Sequence, residues 1–181
     1  FPTRRSSDLN FGSRLFETSG IHIVSKFDGK MKEYTLEDAY GEVHIWLLPF
    51  VKASQVRHFY PEAEIASYDD AVRTVIANSG VDFQKRNVLV AHQFVAGHAV
   101  DPQLAGSESV ATHMVGTVEK IGCDLFEDFD YVALGHIHAP QCVGAETIRY
   151  SGSVLKYSLS EAMGQKSVPV VTLVQKGNVR I

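Results

Sequence analysis

Alternating apolar and polar residues predict a β-hairpin near the start of the chain. A short β-rich run at 21–24 is followed by an alternating stretch at 30–36. Turn-forming residues at 38–41 lead into a second run at 43–48, which Pro49 ends. Together these segments predict a β-hairpin packed on a sheet.

A helical period follows the hairpin. Ser67 is placed to cap a helix, and Asp70 is placed to accept a hydrogen bond in its first turn. Gly80 is expected to end this helix. The apolar positions that recur at helical spacing are Ala71, Val72, Val75 and Ile76.

Two continuous apolar runs predict strands that are covered on both faces. The first, 87–91, leads directly into His92, and the second, 131–134, breaks at Gly135. The segment 97–116 between them is small, polar and without a clear period, so it is expected to be a surface loop.

Shorter signals complete the pattern. One helical turn is expected at 123–129, and a Gly-Asn turn at 177–178 opens a final hairpin. Strands thus outnumber helices. The remaining β-runs lie at 141–143, 147–150 and 168–174.

Both ends of the chain have an unusual character. Residues 1–9 have no hydrophobic period and no initiator Met, so we interpret them as a non-native scar. Folding is expected to start near Asn10. The hairpin that has just opened at the other end is expected to continue into further protein.

Composition narrows the class of protein. The chain has 181 residues, of which 45% are hydrophobic and 21% charged, values that exclude disordered, collagen-like and coiled-coil proteins. A formal charge of −4 gives no basic field that would attract nucleic acid.

No apolar run approaches the roughly 20 residues of a membrane span. Cys123 and Cys142 are expected to be reduced thiols, and a cytoplasmic location fits best.

Eight histidines raise the question of which carry chemistry. His22, His44 and His58 stand alone in their segments and are interpreted as surface or core imidazoles, since a single histidine needs a partner to bind a metal. The eight are His22, His44, His58, His92, His98, His113, His136 and His138.

Three of these histidines stand at the carboxyl ends of the two most apolar strands. His92, His136 and His138 would meet at the sheet edge where ligands bind in open α/β folds. If the chain stays extended, the spacing of His136 and His138 puts both rings on one side, with Gly135 permitting a sharp turn. Three imidazoles there predict a metal site. The alternative is that the turn merely hydrogen-bonds backbone carbonyls.

Other chemistry has little support in the sequence. There is no GxSxG nucleophile turn and no GxGxxG or GxxxxGK[ST] phosphate loop. The carboxylates nearest the histidines in sequence show no ligand spacing, so they are interpreted as solvated or capping groups. They are Asp101, Glu108, Asp124 and Asp130.

Three segments in order carry a family resemblance. They are VAHQFVAG at 90–97, FDYVALGHIHAPQ at 129–141 and RYSGS at 149–153. With the supporting segments at 48–50, 60–61 and 67–71, they resemble the later motifs of the SbcD family of bacterial nuclease subunits. That family belongs to the calcineurin-like metallophosphoesterases.

The resemblance implies a four-layer α/β/β/α sandwich, incomplete here, with residues 10–181 forming the C-terminal part of the nuclease domain. It implies two divalent ions, most simply Mn, with His92 and His136 on one ion and His138 on the other. The implied activity is two-metal hydrolysis of DNA in repair, recombination and replication: ATP-dependent double-strand exonuclease and single-strand or hairpin endonuclease activity. The implied partners are DNA and an SbcC-type ATPase subunit, with a homodimer inside a heterotetramer.

The chain lacks several motifs of the family pattern. The family's early motifs, DxH, GDxxD and GNHD, do not occur, and with them go the bridging aspartate, an asparagine ligand and the catalytic histidine. Three imidazoles without carboxylates would hold a hard ion such as Mn poorly. We therefore expect the 181 residues alone not to cleave DNA. The basic surface that binds DNA is expected in the family's cap domain or in the partner.

Two other functions stay open. One is a metallophosphoesterase acting on a small phosphodiester or phosphoprotein, and the other is a non-catalytic binding or scaffold piece. Ser151 and Ser153 follow a strand and are candidate phosphate contacts, although serines after a strand are also ordinary turn formers.

Overall fold

A mixed sheet forms the centre of the fold. The computed structural model describes residues 16–97, 101–106 and 120–181. The predicted scar at 1–9 and most of the predicted loop at 97–116 lie outside the described residues. The strands are β1 Lys32–Asp38, β2 Gly41–Leu48, β3 Arg86–Ala91, β4 Val95–Ala96, β5 Ile121–Gly122, β6 Tyr131–Leu134, β7 Gln141–Val143, β8 Ala145–Tyr150, β9 Thr172–Leu173 and β10 Val179–Arg180. The helices are α1 Ala53–Phe59 and α2 Tyr68–Asn78, with 3-10 turns at Cys123–Phe126 and Leu159–Glu161.

The central sheet is mostly parallel. It has six strands in the order β1-β2-β3-β6-β8-β7, in which β2, β3, β6 and β8 run parallel. The edge strands β1 and β7 pair antiparallel with β2 and β8. The predicted α/β class, the first hairpin and the two apolar strands are therefore confirmed.

Strand register aligns the carboxyl ends of the parallel strands. Their last residues pair in one row: Leu48, Ala91, Leu134 and Tyr150. The residues that come next are therefore delivered to a single edge of the sheet: Pro49, His92, Gly135 and Ser151. Backbone pairing therefore brings the residues of these four turns close together.

Helices cover one face of the sheet. The side chains of Trp46, Leu89 and Val132 share a buried core with Val56 of α1 and Val72 of α2. The capping position of α1 is Lys52, which is not one of the usual capping residues Ser, Thr, Asp or Asn. The sequence therefore carries no start signal for this helix.

The second helix begins and ends as predicted. The Ser67 hydroxyl accepts a hydrogen bond from the Asp70 NH at 3.1 Å, and the Asp70 carboxylate accepts one from the Ser67 NH at 2.9 Å. These paired bonds satisfy NH groups that the first helical turn leaves open. After Asn78, Gly80 adopts a φ of +80°, a conformation that favours glycine and ends the helix.

The opposite face is covered only in part. Val43, Val88 and Tyr131 pack against Leu173 and Val179 of the β9–β10 hairpin. Val90 lies on this face nearer the carboxyl ends of the strands, and it is 40% exposed. The covered part of this face is thus the part farthest from the histidines.

Arg86 ties the second face to the rest of the sheet. Its buried guanidinium donates to both carboxylate oxygens of Asp38, at 2.7 and 3.0 Å. It also donates to three backbone carbonyls, those of Gly41, Glu42 and Val174. One side chain therefore joins the β1–β2 turn to the C-terminal hairpin.

Two predicted β-runs are wrong in whole or in part. Residues 21–24 form no strand, and within 168–174 only β9 is a strand. A run of β-formers becomes a strand only where a neighbouring backbone pairs with it, and among the described residues β1 pairs with β2 alone. The turn at 123–129 is shorter than predicted and forms the 3-10 turn Cys123–Phe126.

Removing the Arg86 charge is expected to destabilise the fold. Arg86→Met should lower the free energy of unfolding by about 2 kcal/mol, because it removes charged donors from the half-exposed Asp38 carboxylate and from three backbone carbonyls. Lys85→Met is the matched control, since Lys85 is exposed and lies 3.4 Å from Glu42, so its loss should be below about 0.5 kcal/mol. Urea denaturation measures both, and equal losses would contradict this role of Arg86.

Candidate metal centre at the strand ends

The ends of β3 and β6 bring two imidazoles together. The Nε2 atom of His92 lies 3.4 Å from Nδ1 of His136. The two rings meet edge to face, with centroids 5.2 Å apart and planes inclined by 83°. Two ring nitrogens at this separation can serve as ligands of one ion.

Local backbone geometry explains how the rings meet. His136 has a φ of +90°, and among the described residues it is the one non-glycine residue with a positive φ. Gly135, expected to make the sharp turn, has another role, because a Cβ there would lie 2.9 Å from Nδ1 of His92. The glycine makes room for the His92 ring, and the strained residue is the histidine itself. Strain of this kind costs about 1–3 kcal/mol and concentrates at functional sites.

Two aromatic rings flank His136. Phe50 stacks on it with a centroid distance of 6.4 Å, and Phe94 meets it edge to face at 6.1 Å. Phe94 is buried, whereas Phe50 is partly exposed. These contacts restrict the orientation of the strained imidazole and shield its sides from water.

Buried polar bonds hold the backbone that follows His92. The Tyr150 hydroxyl accepts a hydrogen bond from the Val95 NH at 2.6 Å and lies 3.2 Å from the Gln93 carbonyl, to which it can donate. The Gln93 side chain donates to the Pro49 carbonyl at 3.0 Å. Burial raises the pKa of Tyr150 well above its usual range, so the phenol stays protonated. The end of β3 is thereby fastened to the ends of β2 and β8.

The environment of His92 favours its neutral form. Although His92 is exposed at the surface, partial desolvation by the surrounding protein lowers its pKa, and electrostatic repulsion between the His92 and His138 rings lowers it further. Neutral imidazole is the form that offers a lone pair to a metal ion.

His138 lies in a different set of contacts. Its Nδ1 atom is 3.5 Å from a carboxylate oxygen of Glu161, and its ring centroid is 5.8 Å from that of Tyr157. The expectation that His136 and His138 project together assumed an extended chain, and the positive φ of His136 removes that condition. Among the described residues, no group of three or more His, Cys, Asp or Glu side chains is arranged to hold a metal ion. The described histidines can therefore supply some, but not all, of the ligands of a metal ion.

The two serines that were predicted to contact phosphate lie in different places. Ser151 lines a cleft of about 410 Å³ at the strand ends, together with His22, Val90 and His92. The Ser153 hydroxyl instead accepts from Lys166 at 2.7 Å and donates to the Leu155 carbonyl at 2.9 Å. A phosphate contact at either serine stays a prediction.

Where they are described, the carboxylates singled out by sequence belong to no group of three or more potential metal ligands. Asp130 is buried and accepts from the Asn87 NH at 2.7 Å and from Lys176 at 2.9 Å. Asp101 pairs with Lys120 at 2.6 Å. Glu108 lies outside the described residues. The carboxylate beside a candidate ligand is Glu161, which sequence distance from the histidines does not reveal.

The remaining histidines and cysteines have separate surroundings. His22 lies outside any strand with its ring centroid 3.8 Å from that of Tyr34, and His44 is buried with Nδ1 2.5 Å from Glu33, which agrees with their interpretation as surface or core imidazoles. His58 is exposed on α1, while His98 and His113 lie outside the described residues. Neither Cys123, which is buried, nor Cys142, which is exposed, forms a disulfide with another described residue.

Two bacterial proteins are similar to this chain over most of its length. Both are the SbcD subunit of nuclease SbcCD, and the chain is 33% identical over 167 residues to that of Staphylococcus saprophyticus and 31% identical over 167 residues to that of Staphylococcus epidermidis. Each alignment covers 91% of this chain but 42% of the relative, so the chain spans less than half the length of these relatives. No family model matches the chain. In the part of the chain that the structure describes, no helix is long and apolar enough to cross a membrane.

His92 is expected to remain neutral to a lower pH than a histidine in an unstructured peptide, whose pKa is about 6.5. The folded state then binds fewer protons than the unfolded state. Stability is therefore lost as the pH falls below about 6.5, and the loss is complete below the folded-state pKa. An NMR titration of the metal-free chain measures this value, and a folded-state pKa of about 6.5 or higher would contradict the account.

Proposed function

We propose that this SbcD-like chain supplies the histidine-bearing strand ends of a metal-dependent DNA nuclease. The observation that carries the proposal is the 3.4 Å approach of His92 and His136 at the aligned strand ends, in a chain similar to SbcD subunits over 91% of its length. The reaction is hydrolysis of a DNA phosphodiester bond.

The proposed cofactor is a pair of divalent ions, with Mn as the candidate. His92 and His136 would hold one ion, and His138 would hold the other. Such ions supply polarisation of the phosphodiester and activation of water. Carboxylate oxygens are the donors that a hard ion prefers, and none joins His92 and His136 among the described residues. We therefore propose that carboxylates outside the described residues complete the centre.

The chain's own residues prepare the site in three ways. The lowered pKa of His92 keeps its imidazole neutral. Phe50 and Phe94 restrict the His136 ring. Ser151 lines the cleft beside the strand ends, and its hydroxyl is the proposed phosphate contact.

A four-layer sandwich is the proposed architecture of the whole nuclease domain. Helices cover one face of the central sheet, but the other face leaves Val90 40% exposed near the strand ends. A second sheet packed on this face would bury it and give the α/β/β/α arrangement. The strand ends would then open between the two sheets.

The proposed partners are DNA and an SbcC-type ATPase subunit, in a cytoplasmic complex. A net charge of −4 gives this chain little attraction for a phosphate backbone. The basic surface that holds DNA therefore belongs to a cap domain or to the partner. The relatives' own name places them in an SbcCD assembly, and we extend that assembly to this chain.

The test is a chimera in which this chain replaces the matching segment of the Staphylococcus saprophyticus relative. With Mn²⁺ it should cleave a labelled DNA hairpin and a linear duplex, and His92→Ala or His136→Ala should reduce cleavage at least about 100-fold. His58→Ala is the matched control because His58 is exposed on α1, away from the strand ends. The 181-residue chain alone should not cleave.

The outcomes separate the candidate functions. Loss of cleavage in the His92 and His136 variants, with the His58 variant active, supports the nuclease. A folded, Mn²⁺-binding chimera that hydrolyses bis(p-nitrophenyl) phosphate but not DNA would replace DNA with a small phosphodiester. A chimera that binds no metal and hydrolyses neither substrate would contradict the proposal and favour a scaffold role.

A further inference from the structure

A buried carboxylate stands in a segment whose apolar side chains are exposed. Glu161 is only 2% exposed, whereas Leu159 and Met163 on either side of it are 93% and 95% exposed. Glutamate is among the residue types least often fully buried, and leucine and methionine are among those most often buried. This segment therefore reverses the usual arrangement.

The Glu161 carboxylate is held by a compact polar network. It pairs with the ammonium of Lys166, and the Ser153 hydroxyl lies 3.2 Å from its Oε2 atom. Lys166 also donates to the Ser153 hydroxyl at 2.7 Å and to the backbone carbonyl of His138 at 3.0 Å. The network thus connects the exposed segment to the turn that carries His138.

The same network acts on both the backbone and the ring of His138. The His138 carbonyl accepts from the Ser153 NH at 3.1 Å as well as from Lys166. The other oxygen of Glu161, Oε1, lies 3.5 Å from Nδ1 of the ring. That separation is longer than a hydrogen bond, so the carboxylate acts on the ring as a nearby negative charge. A negative charge beside Nδ1 favours the tautomer with the proton on Nδ1 and the lone pair on Nε2.

Stability alone does not account for this arrangement. Burying an ion pair gives little net stabilisation, because removing both charges from water costs about as much as their attraction returns. Burying Leu159 or Met163 in place of Glu161 would contribute more. A carboxylate that orients the second ring nitrogen is, by contrast, a common feature around metal-binding histidines.

We propose that Glu161 is a positioning residue for His138. Its carboxylate, held by Lys166, favours the tautomer with the proton on Nδ1. Nε2 is then the nitrogen that offers its lone pair to a divalent cation. The cation-binding part rests on the proposed function. The tautomer part does not, and it can be measured without metal or DNA.

The test is ¹⁵N NMR of the histidine rings in the full 181-residue chain. The parent is expected to carry the His138 ring proton mainly on Nδ1. Glu161→Gln keeps the size of the side chain but removes its charge, so the ratio of Nδ1–H to Nε2–H forms should fall by at least about threefold. Asp28→Asn is the matched control, because Asp28 pairs with Lys32 on the surface at 2.6 Å, and it should leave the ratio unchanged.

Glu161→Asp keeps the proposal testable where Glu161→Gln disturbs folding. Aspartate retains the charge for Lys166, but its shorter side chain withdraws the carboxylate from the His138 ring, so the ratio should fall there too. Added Zn²⁺, which suits imidazole donors without carboxylate partners, provides a second readout: it should shift the Nε2 resonance of His138 in the parent and less so in both Glu161 variants. A ratio of Nδ1–H to Nε2–H forms that falls in the Glu161 variants but not in the Asp28 variant supports the proposal.

A His138 ring protonated on Nε2 in the parent, or a ratio equal in all variants, would overturn it. These results are separable from the nuclease proposal. If the chimera cleaves DNA but the tautomer ratio is insensitive to Glu161, the nuclease stands and the positioning role fails. If the ratio depends on Glu161 but no chimera cleaves, the nuclease fails and the control of the His138 tautomer stands.

Discussion

In-register parallel pairing of four strands is the constraint on which the candidate site depends. Leu48, Ala91, Leu134 and Tyr150 end their strands in one row. Backbone hydrogen bonds fix that row, and a shift of one residue would turn every side chain of a strand to the other face. The position of His92 relative to the turn after β6 is therefore set by the whole sheet rather than by contacts between the imidazoles.

The sheet also supports the local strain that the site contains. His136 holds a φ of +90° because the turns around it are fixed by neighbouring strands and packed aromatic rings. Tyr150 satisfies the Val95 NH just beyond the end of β3, and the Gln93 side chain satisfies the Pro49 carbonyl just beyond the end of β2. A rigid frame of this kind holds ligands in place before an ion arrives, which reduces the cost of binding. The glycine at 135 contributes space for a ring rather than flexibility.

How far the sequence predicts this structure depends on the range of the interactions involved. The continuous apolar runs of β3 and β6 and the Ser67 cap are local signals, and each corresponds to an observed element. Position at the strand ends also selected His92 and His136, which the sheet brings together. By contrast, the β-rich run at 21–24 pairs with no strand in the part of the chain that the structure describes, so local β preference predicted a strand that does not form.

The contacts of His138 and Glu161 were beyond local reasoning. The spacing of His136 and His138 gives a common direction only for an extended backbone, and the positive φ of His136 depends on packing by distant residues. Glu161 meets His138 through a loop fastened by Lys166 and Ser153, an arrangement with no periodic signature. Carboxylates close in sequence, such as Asp130, support the C-terminal hairpin instead.

Anomalous diffraction from a crystal of this chain grown with Zn²⁺ tests the central claim most directly. Zinc suits imidazole donors and does not require the carboxylate oxygens that Mn prefers. The account predicts an anomalous peak about 2.1 Å from both Nε2 of His92 and Nδ1 of His136. A peak that engages one of these histidines without the other, or zinc bound only elsewhere on the chain, would contradict the claim that the aligned strand ends build a shared metal centre.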